Sequence, residues 1–175
     1  MCIRDREKGI DRLIDIWLSV HNTHPDWVLD IYGQGMLQDE LQQKILAANA
    51  GTYIHLKGSS PDIMYEYLNC SLLVLTSRYE GFPMALLEAM ACGVPCVTYD
   101  CPFGPRSMIT NMRNGILVEE GDKKEMVDKI NYLIENEKNR KKIGTNARKY
   151  VLQYSQKNIM DKWNILFNNC LTLTS

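Results

Sequence analysis

A chain of 175 residues, 45% hydrophobic and 23% charged, can bury one sizeable core, and a formal net charge of -1 gives no overall electrostatic footprint for nucleic acid or an acidic membrane. Six cysteines, at 2, 70, 92, 96, 101 and 170, show neither C-x-x-C pairs nor secreted-scaffold density, which reads as reduced cytosolic thiols. No apolar run approaches bilayer-spanning length and the amino terminus lacks a basic-then-apolar signal pattern, so a soluble, cytoplasmic protein is expected.

Ile10, Leu13, Ile14, Trp17 and Leu18 recur at helical period. Trp27 to Tyr32 then reads as a strand, followed by Gly33-x-Gly35 and a helix from Met36 to Ala48. A dinucleotide fingerprint needs that context. Gln38, however, stands at the third glycine, and no acidic residue ends the next strand, Tyr53 to Lys57, which argues against an NAD site. Lys57 itself reads as a solvated strand-end charge. The loop Gly58 to Asp62 leads to a helix expected to start at Ser60 or Pro61, with Ile63, Met64, Tyr67 and Leu68 turned towards a core.

The apolar run Leu72 to Thr76 opens the stretch around which the chain is organised, Glu80-Gly81-Phe82-Pro83-Met84-Ala85-Leu86-Leu87-Glu88. Gly81 lets backbone approach a ligand closely, and Pro83 suits the first position of a helix lasting to about Cys92. That helix is apolar all round apart from Glu88, whose carboxylate needs a hydrogen-bonding partner. Glu80 and Glu88 are separated by roughly 7 to 8 Å along the axis, with the amides of the first turn between them as an anion site. A molecule with hydroxyls at both ends and a diphosphate between matches this layout, and a nucleotide sugar is one. The alternative leaves Glu80 as a solvated loop charge and pairs Glu88 with Lys57, Arg78 or Arg106.

Pro95 to Tyr99 reads as another strand and Asp100 to Arg106 as a turn, in which Gly104 suits an anion nest. Arg106 is either a phosphate ligand, a partner of Glu80 or a surface residue. After a short strand at Gly115 to Val118, Asp122 caps a helix through Glu135. The charge-rich run Glu137 to Lys149 reads as a solvated helix face, and a last helix, Ser155 to Leu171, carries Ile159, Trp163, Leu166, Phe167 and Cys170. Strands and helices alternate at βαβ spacing. The expected class is therefore α/β, a Rossmann-like mainly parallel sheet with helices on both faces and ligands at the carboxyl ends of its strands.

Ser77-Arg78-Tyr79-Glu80-Gly81-Phe82-Pro83, followed by Glu88-Ala89-Met90-Ala91-Cys92-Gly93-Val94-Pro95, resembles the E-x7-E signature of retaining glycosyltransferases of family 4. Lys8-Gly9, Tyr32-Gly33-Gln34-Gly35, Cys101-Pro102-Phe103-Gly104-Pro105 and Asn114-Gly115-Ile116-Leu117-Val118 occur in the family's order. The resemblance implies the donor-binding half of a GT-B enzyme using a nucleotide-diphosphate sugar, in particular a UDP-sugar. It implies that Glu80 contacts hydroxyls of the transferred sugar, that Glu88 holds the ribose, that Lys8 with the helix amides neutralises the diphosphate, and that Gly81, Phe82, Pro83, Met84 and Ala85 line the donor site. Gly33 and Gly35 then lie near the phosphates, Gly58 with Lys57 beside the base, and Gly104 and Arg106 on the phosphate side. No D-x-D triplet is present, and neither metal nor other cofactor is expected.

Two departures accompany the resemblance. Ser107 stands where the family often has glutamate, and Cys2 stands where a strand-ending arginine is expected, so residues 1–7 read as a foreign or truncated start. Residues 8–153 form the expected nucleotide-sugar domain. Residues 154–175 form a helix that crosses back to an absent amino-terminal acceptor domain, which leaves this chain able to bind donor but poor at transfer. The whole enzyme is expected at the inner face of the membrane. A nucleotide-sugar epimerase of similar fold and a non-catalytic binding module are the other readings.

Overall fold

The computed structural model describes residues 6–172, with side chains described as far as Cys170, so the position of Cys2 lies outside the described residues. The chain alternates as expected: α1 (Ile10–His21), β1 (Leu29–Tyr32), α2 (Gln38–Ala47), β2 (Ile54–Gly58), α3 (Ile63–Asn69), β3 (Leu73–Leu75), α4 (Met84–Ala91), β4 (Cys96–Tyr99), β5 (Ile116–Val118), α5 (Lys123–Glu135), α6 (Glu137–Val151) and α7 (Gln156–Thr172). All strand pairing between these elements is parallel.

The ladder is divided, however. β1 pairs with β2 from Leu29 opposite Ile54 to Tyr32 opposite Gly58, while β3, β4 and β5 form a separate ladder. Between β1 and β3 lies a groove of about 450 Å3, lined by Leu29 and Ile31, by Leu73 and Val74, and from α1 by Leu13 and Trp17. Among the described residues neither β1 nor β3 has a strand on that side.

The apolar stripe of α1 buries Ile10, Leu13, Ile14, Ile16, Trp17 and Val20. They join Ile31, Ile45, Val97 and the inner face of α5 (Met126, Ile130, Leu133) in one core. A second core gathers Leu75, Leu86, Ala89, Met90, Cys96, Met108 and Ala147. Asp122 caps α5 as expected, its carboxylate accepting from the Glu125 N–H at 2.8 Å. α3 begins later than expected because Asp62 is its cap, accepting from the Tyr65 N–H at 3.0 Å. Only Tyr67 of α3 is fully buried; Met64 and Leu68 face solvent, since so short a helix covers the core with one residue per turn. α6 is solvated on one face and buries Ile143, Gly144, Ala147 and Val151 on the other. A Cβ on Gly144 would lie 2.0 Å from the Gly93 carbonyl oxygen, so this glycine permits backbone contact between α6 and the turn after α4. Met160, Trp163, Ile165, Leu166 and Phe167 of α7 are exposed, with Trp163 and Phe167 stacked on each other at 5.4 Å.

The amino end of α1 is fixed to the end of β3. Gly9 caps the helix at φ 63°, a left-handed conformation, and an added Cβ there would lie 2.1 Å from the Thr76 carbonyl oxygen. Thr76 Oγ1 donates to the Gly9 carbonyl at 2.8 Å, and the Arg78 N–H to the Glu7 carbonyl at 2.6 Å. Arg78 also grips Asp11 through Nη1 at 3.0 Å and Nη2 at 2.8 Å, and this hydrogen bonding holds the Asp11 carboxyl below its ordinary 3.8. A depressed folded-state value means that the pair stabilises above that ordinary value and loses its effect as pH falls through the lower one. Urea unfolding midpoints measured from pH 5 down to pH 2 are thus expected to fall less steeply in Asp11→Asn than in the parent.

Candidate functional site

The residues singled out by the sequence lie in the loops that follow the parallel strands. Glu80 leaves the end of β3 with its carboxylate turned inwards, only 11% exposed. Its Oε1 accepts from Lys8 Nζ at 2.8 Å and from Ser77 Oγ at 2.7 Å. The solvated alternative for Glu80 is thereby corrected, because a carboxylate so enclosed needs both donors. Residues 72 apart in sequence make the pair, brought together by the seating of Gly9 against Thr76.

Pro83 is the cap of α4 rather than its first residue; Leu86 and Leu87 both donate to its carbonyl, at 3.0 and 3.1 Å. A proline has no side-chain acceptor, so α4 carries no side-chain cap, and its first two amides, those of Met84 and Ala85, come directly after the Glu80 loop. Gly81 is exposed, and a Cβ there would meet nothing within 4 Å, which leaves space for a ligand beside the backbone. The helix is less buried than expected. Phe82 and Met84 are exposed, Ala85 and Leu87 half-buried, and only Leu86, Ala89 and Met90 are fully buried.

Glu88 is half-buried and accepts from the Tyr67 hydroxyl at 3.3 Å. Burial, followed by the negative charge of Glu88, pushes the Tyr67 phenol well above its usual range, so it stays a donor. The three basic partners considered from sequence go elsewhere or stand apart. Arg78 holds Asp11, Arg106 Nε donates at 3.0 Å to both oxygens of Asp100, and Lys57 is exposed at the end of β2. Arg106 is thus neither the partner of Glu80 nor turned inwards; its side chain is 79% exposed.

Gly33 and Gly58 meet at the carboxyl ends of β1 and β2, where the Gly33 N–H donates to the Gly58 carbonyl at 2.6 Å. Both have positive φ, 136° and 70°, so these turns require glycine. Gly35 accepts from the Gln38 N–H at 3.3 Å at the start of α2. Gly104 is buried against the Glu80 loop: a Cβ on it would lie 2.8 Å from Glu80 Cβ and 3.2 Å from Pro83 Cδ. The loops after β3 and β4 therefore form one packed corner. Arg12, not singled out from sequence, joins that corner by donating to the Thr76 carbonyl at 2.7 Å and to Glu120 at 2.7 Å while lying over the Tyr99 ring. No local signal in the sequence pointed to it. Among the described residues no cluster of three His, Cys, Asp or Glu is arranged to hold a metal, and no helix is long and apolar enough to cross a membrane.

The family model for glycosyl transferases group 1 matches residues 4–150. The chain belongs to this family. The poly(ribitol-phosphate) alpha-N-acetylglucosaminyltransferase of Staphylococcus aureus is 32% identical over 163 residues, which is 93% of this chain and 33% of that protein. The amylovoran biosynthesis glycosyltransferase AmsD of Erwinia amylovora is 32% identical, over 93% of this chain and 45% of its own length. The crystal structure of a mutant of S. aureus TarM in complex with fondaparinux, alpha-GlcNAc-glycerol and UDP superposes with a TM-score of 0.90 at 32% identity, covering 95% of this chain and 34% of that one. The chain thus spans less than half of each of these relatives and has the GT-B carboxyl-terminal fold. Membership of this family does not favour an epimerase.

Proposed function

We propose that this chain is the donor-binding part of a retaining, family 4 hexosyltransferase that takes a UDP-sugar and transfers the sugar without a metal ion to an acceptor held by a preceding domain. The observation that carries this reading is the enclosed Lys8–Glu80–Ser77 cluster at the end of β3, immediately ahead of the uncapped amino end of α4. Glu80 would accept from hydroxyls of the transferred sugar. Glu88, held at one oxygen by Tyr67, would use its remaining capacity on the ribose. As the sugar leaves, negative charge grows on the diphosphate, and Lys8 with the first amides of α4 would stabilise it. Gly33, Gly35, Gly58, Lys57, Gly104 and Arg106 would complete the edge facing the nucleotide. The UDP complex and the N-acetylglucosaminyl activity of the relatives make UDP-N-acetylglucosamine the first donor to try.

The exposed apolar face of α7 is the surface that such an acceptor domain would cover. Cys70, Cys92, Cys96 and Cys101 are thiols, as the cytoplasm would keep them, and burial pushes Cys101 up to about 11. Bacterial polysaccharide assembly at the inner membrane face is the setting this reading supplies.

The deciding measurement is the thermal unfolding midpoint with UDP, GDP and ADP in turn. At a hundredfold excess over its dissociation constant a ligand stabilises by about 2.7 kcal/mol, worth several degrees here. UDP is expected to raise the midpoint in the parent and not in Glu88→Gln. If all three nucleotides leave a folded parent unmoved, the chain has no donor site.

A further inference from the structure

The loop after β4 spends stability on displaying a ring. Phe103 is 80% exposed and sits at φ 71°, a left-handed conformation that costs a non-glycine residue about 1–2 kcal/mol. The loop is not slack. Arg106 clasps Asp100 across its base, Ser107 Oγ donates to the Gly104 carbonyl at 2.7 Å, the Tyr150 hydroxyl donates to the Ser107 carbonyl at 3.0 Å, and Cys101, Gly104 and Pro105 are buried. Phe103 is therefore held outwards rather than left over. Its ring meets that of Tyr79 edge-on at 6.2 Å, and Tyr79, itself 51% exposed, directly precedes Glu80. Gly104, next to Phe103, lies against Glu80. Two exposed rings thus share one rigid corner with a carboxylate, a lysine and a serine hydroxyl.

We propose that Tyr79 and Phe103 form a stacking platform for a pyranose ring, supplied either by the sugar of the donor or by a sugar of the acceptor. A pyranose presents C–H groups on its face and hydroxyls at its rim, so it needs aromatic surface and hydrogen-bonding groups side by side. A phosphate offers no face to stack, and a nucleobase, which also stacks and hydrogen-bonds at its rim, is assigned above to the Gly58 end of the site. The proposal rests on the reading of the Glu80 corner as the sugar end of a donor site.

Phe103→Asn removes the ring while keeping a residue that tolerates positive φ, and Phe103→Trp restores an aromatic face. Calorimetric titration of UDP and of UDP-N-acetylglucosamine gives the affinity gained from the sugar. Saturation-transfer NMR of methyl N-acetyl-α-glucosaminide, with and without UDP, reports a free sugar. If the platform serves the donor, Phe103→Asn keeps its UDP affinity and loses about five- to tenfold of the sugar-dependent gain, with Phe103→Trp recovering it. If it serves the acceptor, both nucleotides bind unchanged and transfer to the glycoside disappears in Phe103→Asn alone. No change in either readout overturns the proposal. Should the parent fail to bind UDP, the donor reading fails, and the glycoside measurement without nucleotide decides the platform by itself.

Discussion

Alanine at Gly9 is expected to lower the melting temperature by about 5–15 °C. The added Cβ would stand 2.1 Å from a backbone oxygen of Thr76, which cannot swing aside as a flexible side chain can. At φ 63° the substitution also carries left-handed strain. Together these effects amount to roughly 2–5 kcal/mol, and about 2–4 °C accompanies each kcal/mol in a domain of this size. Gly51→Ala is the control, since nothing lies within 4 Å of a Cβ there; it should melt with the parent. Differential scanning calorimetry of both variants makes the comparison. A Gly9→Ala protein that melts with the control would mean that α1 is not seated on the end of β3, and the position of Lys8 would lose its physical basis.

Lys8→Met is expected to weaken UDP binding by about 10- to 100-fold, the scale of losing a hydrogen bond to a charged group, 1.5–3 kcal/mol. The variant removes the cation assigned to the diphosphate and strips Glu80 of the donor it meets at 2.8 Å. Calorimetric titration with UDP and with uridine separates these roles. Uridine lacks the diphosphate, so its weaker affinity should survive the substitution while that of UDP collapses. Equal losses for both ligands would point to damage of the fold, and unchanged UDP affinity would remove Lys8 from the site.

The elements and the main turn were legible because their signals are local. Apolar period exposes α1 and α5, Asp122 announces a cap, and an apolar strand followed by Glu80, Gly81 and Pro83 marks a turn into a helix. What sequence could not supply depends on contacts across the fold. Lys8 with Glu80, and Asp11 with Arg78, meet because the Gly9 contact and the hydrogen bonds around Thr76 join α1 to the end of β3. Arg106 was a candidate partner for Glu80 from a different loop, yet its own turn returns it to Asp100, six residues away. Met64 and Leu68 fit a helical period, but a helix of seven residues, Ile63–Asn69, lacks the length to bury a stripe. Phe103 gave no local sign of its exposure, since positive φ is uncommon in a bulky residue and no pattern announces it.

The groove between β1 and β3 also bears on how the molecule behaves in concentrated solution. Among the described residues two parallel strand edges face the same cleft, and either edge can template an extended segment from a neighbouring chain. Such a segment would gain main-chain hydrogen bonds from both ladders while burying apolar side chains against Leu13 and Trp17. Self-association would start at this cleft. It would act most strongly when another molecule is partly unfolded and has a strand to lend, so slow, concentration-dependent loss of monomer on mild heating is the behaviour this architecture favours.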